Sequence, residues 1–213
     1  MRDYLNDKLA DMGDYRGRIS DIDLALWRGA YRINGLEIVK VSGKVPVPFV
    51  KAPLIDLSVS WHSLWYDHAV VAKVQFIQPE LNFVDGGADK QASQTGEGTD
   101  WRAQLGKLLP ITLDEVRIDD GKIHFRNFSS KPPVNIGATQ VNASFYNLTN
   151  VVDTQGKRDA RFDGKALLQG QAPMESTATF DPLSNFENFE FRLRARDIEL
   201  KRFNDFASAY GKF

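Results

Sequence analysis

The chain has 213 residues, 42% of them hydrophobic and 26% charged, with 27 basic and 28 acidic side chains summing to a net charge of −1. These proportions fit a folded body with a sizeable core, and they give no global field that would gather nucleic acid or anionic lipid. The absence of cysteine excludes thiolate metal sites, thiol nucleophiles and disulfides, and no run of about 18 apolar residues offers a helical membrane span.

In chain order, Leu5, Leu9 and Met12 fall at helical spacing and predict a helix over 3–12, closed by Gly13. Ile22, Leu24 and Leu26 alternate up to a turn at Arg28-Gly29, predicting a hairpin with Leu26 opposite Tyr31 and Leu24 opposite Ile33. Leu36 and Ile38 resume on the other parity, so Asn34-Gly35 reads as a bulge. Val45-Pro46-Val47-Pro48 reads as a loop or edge, and Ile55, Leu57 and Val59 as a strand. A helical turn is expected at 61–65.

Two segments 42 residues apart then share one apolar template. Val74, Phe76, Leu81 and Phe83 flank Gln78-Pro79, and Val116, Ile118, Ile123 and Phe125 flank Asp120-Gly121. In each, alternation stops at a two-residue break and resumes with its parity switched. That pattern predicts two tight hairpins, each placing its four apolar side chains on one face, with Asp-Gly as a type I′ turn. Between them, residues 85–99 are rich in Gly, Ala, Gln, Ser and Asp and read as a solvated, mobile loop. Asp100 can cap a helix ending at Pro110.

From Val141 onward alternation dominates. Phe145, Phe162, Phe180, Phe189 and Phe191 share one face with small residues, while charged residues take the other, as in an antiparallel sheet with one wet face. A last helix carries Phe203, Phe206, Ala207 and Tyr210. A short helix before each of three hairpins, and a fourth helix followed by none, suggests repeated helix–hairpin units in a fragment of a longer chain.

The segment from Tyr15-Arg16-Gly17-Arg18 through Tyr31-Arg32-Ile33 resembles the part of AsmA-like proteins that follows their membrane anchor. Ile111-Thr112-Leu113-Asp114-Glu115-Val116 through Ile123-His124-Phe125, with Pro132-Pro133-Val134 and Leu148-Thr149-Asn150, is similar to that superfamily's most recognisable stretch. The resemblance, distant for the larger relatives TamB and YhdP, implies a single periplasmic AsmA-like domain over 1–213. It implies mainly β structure with short helices, in which a curled antiparallel sheet forms an open groove or half-barrel. The implied parent is a Gram-negative inner-membrane-anchored protein contributing to outer-membrane lipid transport or maintenance.

Candidate groove-lining residues for phospholipid or other acyl chains are Val74, Phe76, Leu81, Phe83, Val116, Ile118, Ile123, Phe125, Phe145, Phe162 and Phe191. The same residues equally describe a closed core, and a module pairing or self-associating through sheet edges is the alternative function. Roughly ten strands extend only on the order of 50 Å, too short to bridge an envelope alone. His62, His68 and His124 read as surface histidines, and Asp21/Asp23 and Asp119/Asp120 as strand and turn residues. No cofactor, metal or catalytic motif is found, so no enzymatic activity is expected.

Overall fold

The computed structural model describes residues 2–25, 30–59, 71–97, 99, 112–148, 159–181 and 189–211. Helix α1 (Arg2–Leu9) leads into eleven strands: β1 (Tyr15–Arg18), β2 (Asp21–Ala25), β3 (Ala30–Lys40), β4 (Val50–Val59), β5 (Val71–Ile77), β6 (Glu80–Val84), β7 (Thr112–Asn127), β8 (Val134–Tyr146), β9 (Ala160–Leu168), β10 (Ala172–Phe180) and β11 (Phe189–Ala195). A 3-10 turn over Leu200–Phe203 and helix α2 (Asn204–Tyr210) follow. All eleven strands form one sheet, in the order β1-β3-β4-β5-β7-β8-β9-β10-β11, with β2 beside β3 and β6 between β4 and β7. The protein is mainly β with short helices, and its sheet is curled and not closed into a barrel.

The 74–83 and 116–125 segments are not hairpins. β5 and β6 form one kinked strand that keeps a single antiparallel register along β4. β7 runs unbroken through Asp120-Gly121. The two kinked strands lie side by side in parallel, which makes the sheet mixed and not purely antiparallel: Val74 pairs with Val116, Phe76 with Ile118, Leu81 with Ile123 and Phe83 with Phe125. The 42-residue repeat is the register of that parallel pair. A type I′ turn needs positive φ at both central residues. Here only Gln78 (φ 52°) and Asp120 (φ 51°) enter the left-handed region, and one such residue flips the side-chain parity without reversing the chain.

The same parity switch crosses six neighbouring strand paths at one level. It passes between Ile19 and Ile22 where β1 gives way to β2. It then passes Gly35 (φ 64°) in β3, Pro53 in β4, Gln78, Asp120, and Gln140 (φ 51°) in β8. The bulge expected at Asn34-Gly35 is part of this line. Cross-links along it are direct: Ser20 N–H donates to the Asn34 carbonyl, Gln78 N–H to the Asp119 carbonyl (2.8 Å), Gln78 Nε2 to Asp120 Oδ2 (3.1 Å), and Asp120 N–H to Asn142 Oδ1 (3.2 Å). Because adjacent strands kink together, register is kept across most of the line. It slips at β7–β8 and β8–β9, as bulges require. The line is a crease dividing the sheet into a short arm and a long arm.

The main core gathers α1 with β1, β3, β4 and β5, burying Leu5, Leu9, Tyr15, Ile38, Ile55, Leu57 and Val74. α1 seats tightly because Gly17 presents no side chain: a Cβ there would lie 2.9 Å from Leu9 Cδ2. The 22–33 hairpin forms, in a register two residues from that expected: Leu24 faces Tyr31 and Ile22 faces Ile33. Leu26, its turn, and the helices expected at 61–65 and 100–109 lie outside the described residues. Residues 85–97, expected as a solvated loop, fold back on the sheet. Val84 bridges Gln94, which is fully buried and donates to the Asn82 carbonyl, while Lys40 Nζ bonds the Lys90 and Ser93 carbonyls.

Candidate functional site

Paired residues in adjacent strands point to the same face, so the registers define rows of side chains across the sheet. On the long arm one row reads Leu24–Tyr31–Leu57–Val74–Val116–Phe145–Phe162–Ala178–Phe191. The adjacent row reads Ile22–Ile33–Ile55–Phe76–Ile118–Ala143–Gly164–Ser176–Leu193. Each crosses nine strands, about 38 Å at a spacing of about 4.8 Å, without one charged side chain. Beyond the crease a third row runs Gly17–Ile38–Val50–Leu81–Ile123–Ala138–Leu168–Ala172. The opposite face carries the ion pairs Arg32–Asp56, Lys73–Glu115–Arg117, Arg161–Asp163 and Arg192–Glu190.

All eleven candidate residues lie on the uncharged face. Val74, Val116, Phe145, Phe162 and Phe191 fall in the first long row, Phe76 and Ile118 in the second, and Leu81 and Ile123 in the third. Phe83 pairs with Phe125 one position further along the short arm. The eight from the 74–83 and 116–125 segments, expected as partners within hairpins, are neighbours across strands. Ala178 separates Phe162 from Phe191. Phe145 and Phe162 stack with ring centroids 4.7 Å apart, and the Phe162 ring lies across Gly164, where a Cβ would meet it at 2.7 Å.

Cover differs sharply along the rows. In the first row Leu24 at the β2 end is 49% exposed, Leu57 is 1% and Val74 2% exposed, and Val116 through Ala178 are half-buried; Phe191 and Leu193 at the β11 end are 53% and 58% exposed. Burial also raises the Tyr31 hydroxyl pKa above its usual value at the sealed end. The short arm is covered by α1 over Gly17 and, at β7, by α2, whose Phe206 and Tyr210 pack on Phe125 with centroids 6.2 and 5.9 Å away. A depression of about 310 Å³ over β7–β10 takes most of its lining from the charged face, including Asn142, Ser144, Asp163, Lys165 and Glu175. It also takes in Ile118, Ala143, Gly164 and Ser176 of the second long row, so it is a mixed hollow that reaches the uncharged face.

Residues that the sequence reading did not nominate complete the rows: Leu24, Tyr31, Leu57, Ala178 and Leu193. Their signal was alternation, but only register aligns them. Asp119 and Asp120 bond Gln75 and Gln78 and hold the crease. Burial lowers the pKa of His124, reinforced by Arg126, while His62 and His68 lie outside the described residues. Among the described residues no three His, Cys, Asp or Glu side chains gather as a metal site, and no helix is long and apolar enough to cross a membrane. No protein-family model matches the chain, and no curated protein matches it.

Proposed function

We propose that the chain is a non-enzymatic AsmA-like domain that binds lipid acyl chains along the uncharged face of its creased sheet. We place it in the periplasm, carried by a parent anchored in the inner membrane, with a part in outer-membrane lipid transport or maintenance. The observation that carries this reading is the pair of nine-strand rows, buried at Leu57, Val74 and Ile55 and exposed at Phe191 and Leu193 on β11. A purely structural core gains nothing by leaving Phe191 and Leu193 in water, whereas a surface that receives apolar chains must leave part of itself uncovered. Covering ten methylenes would contribute about 8 kcal/mol before ordering costs, enough to hold one lipid on a half-open trough.

Native mass spectrometry and thin-layer chromatography of protein expressed in bacteria test the reading. The expected result is co-purified phospholipid, displaced by added fatty acid and lost in Phe162→Asp while the fold is retained. Protein that emerges free of lipid and takes up none from vesicles overturns it. The second reading, a module that pairs through its sheet edge and carries no lipid, is favoured by β11, which pairs only with β10 among the described residues.

A further inference from the structure

The two flanks of the sheet are finished differently. Beside β1, the Asn6 side chain bonds both the N–H and the carbonyl of Ile19, at 2.8 and 3.3 Å, so α1 satisfies backbone groups at that flank. At the other end, β11 pairs only with β10 among the described residues. Its apolar side chains Phe189, Phe191 and Leu193 are all more than half exposed. β11 carries no proline, no bulge, and no charge on its apolar face, the usual devices that keep an edge from pairing.

Which backbone groups face outward follows from the ladder. Arg196 N–H donates to the Pro173 carbonyl, continuing the β10–β11 register by one step. Antiparallel bonds alternate every second residue, so the even-numbered residues bond β10. Phe189, Phe191 and Leu193 turn their N–H and carbonyl groups to the open side.

We propose that this edge pairs with the same edge of a second copy of the chain, antiparallel about a two-fold axis at Phe191. In that register Phe191 meets Phe191 of the other copy, Phe189 meets Leu193, and Glu190 meets Arg192. All the outward backbone groups of these three odd residues find partners. The Glu190–Arg192 positions are the non-hydrogen-bonded ones, where side chains approach most closely. Glu190 already pairs with Arg192 in its own strand at 2.5 Å, so the two copies close a square of four charges with alternating sign. Shifting the register by two residues, to centre on Arg192, would set Arg192 against Arg192. The favoured pairing also runs the first long row through Phe191 into its symmetry mate, joining two rows of about 38 Å into one of about 80 Å. The proposal sharpens the edge-pairing reading and is independent of lipid binding.

The test uses the full chain in sedimentation equilibrium up to about 0.1 mM, together with oxidative cross-linking, which is clean because the chain has no cysteine. A reversible dimer is expected. Glu190→Arg places four cations together and should weaken it by about tenfold or more. The swap Glu190→Arg/Arg192→Glu should restore it, whereas in the shifted register the swap would set the cation introduced at position 190 against Arg194 and restore nothing. Phe191→Cys should cross-link to a dimer faster than Arg192→Cys. The proposal fails if the chain stays monomeric throughout, if the dimer tolerates Glu190→Arg, or if Arg192→Cys cross-links first. Lipid co-purification with a monomer would sink this pairing and leave the acyl-chain reading standing.

Discussion

The β3–β5 end and the β10–β11 end of the sheet carry the same alternation and share the same uncharged rows, yet one is a core and the other a surface. Leu57 and Val74 lie under the N-terminal cluster that includes α1, whereas Phe191 and Leu193 continue the rows into solvent. Alternation therefore fixes which face is apolar, not whether anything lies over it. Cover is a tertiary property; on the short arm it includes α1, seated by the close approach of Leu9 to Gly17.

Leu57→Ala against Leu193→Ala breaks the comparison most directly. Truncating Leu57 leaves a cavity in the sealed end and should cost about 2–5 kcal/mol. Truncating the exposed Leu193 should stay within about 0.5 kcal/mol. Urea unfolding of both variants measures the difference, and equal losses would mean that the open end is covered in solution. Gly17→Val is the next largest. Its side chain must push Leu9 and α1 away, an overpacking cost of about 1–3 kcal/mol, with hydrogen exchange rising first in α1.

Face assignment was legible in the sequence because it depends only on parity. Val74, Phe76, Leu81 and Phe83 do share a face, as their matched set 42 residues later does. Chain direction was not legible. A switch in parity fits both a two-residue reversal and a one-residue kink; a type I′ reversal takes positive φ at both residues, the kink at one. Asp120-Gly121 has the composition of a type I′ turn, yet Gly121 stays out of the left-handed region. Gln78-Pro79 was the better warning, since the proline ring holds φ near about −65° and cannot supply the positive φ that a type I′ turn requires of both residues. Recurrence was the missed signal. Ile19 to Ile22, Ala52 to Ile55 and Ala138 to Val141 show the same odd step, and six coincident breaks describe a crease across a sheet better than six separate turns. Residues 85–97 have the composition of a solvated loop and 87–91 are exposed, yet Gln94 turns inward to donate to the Asn82 carbonyl and Lys40 holds the Lys90 and Ser93 carbonyls, links that composition does not show.

The charged face offers a smaller contrast. Glu115 is 6% exposed at its side chain and bonds Lys73 at 2.8 Å and Arg117 at 2.5 Å. Burial pulls its pKa up, but the two cations outweigh that and hold it below 4.5. A carboxylate with a depressed folded pKa contributes stability that is present above its unfolded value and lost as pH falls through the folded one. Glu115→Gln should therefore cost about 1–2 kcal/mol near neutral pH and flatten the loss of stability below about pH 4.5. The uncharged rows predict no such acid dependence. An acid limb unchanged by Glu115→Gln would show that the pair does not hold β5 to β7.

The smallest effect concerns α2, the cap over β7 on the short arm. Tyr210 donates its hydroxyl to Asp85 Oδ2 at 2.6 Å and accepts from Asn127 Nδ2 at 2.9 Å, anchoring the ring beside Phe125. Burial, together with the neighbouring Asp85 carboxylate, raises the Tyr210 pKa above 10.0. A raised folded pKa contributes stability that is complete below the unfolded value and lost as pH rises through the folded one, so the latch should weaken only above about pH 10. Tyr210→Phe keeps the ring contacts and deletes the hydroxyl, at a cost of about 1 kcal/mol confined to α2. Amide exchange at Ala207–Gly211, corrected for the intrinsic rate, should then quicken about fivefold near neutral pH and lose its extra rise at alkaline pH, while Leu57 and Val74 stay protected. Tyr15 and Tyr31 also have raised pKa values, so only a local probe on α2 separates this latch from general alkaline loosening of the sealed end. Exchange that quickens equally at α2 and at Leu57 and Val74 would mean that α2 and the β3–β5 core open together, and that the latch is not local to α2.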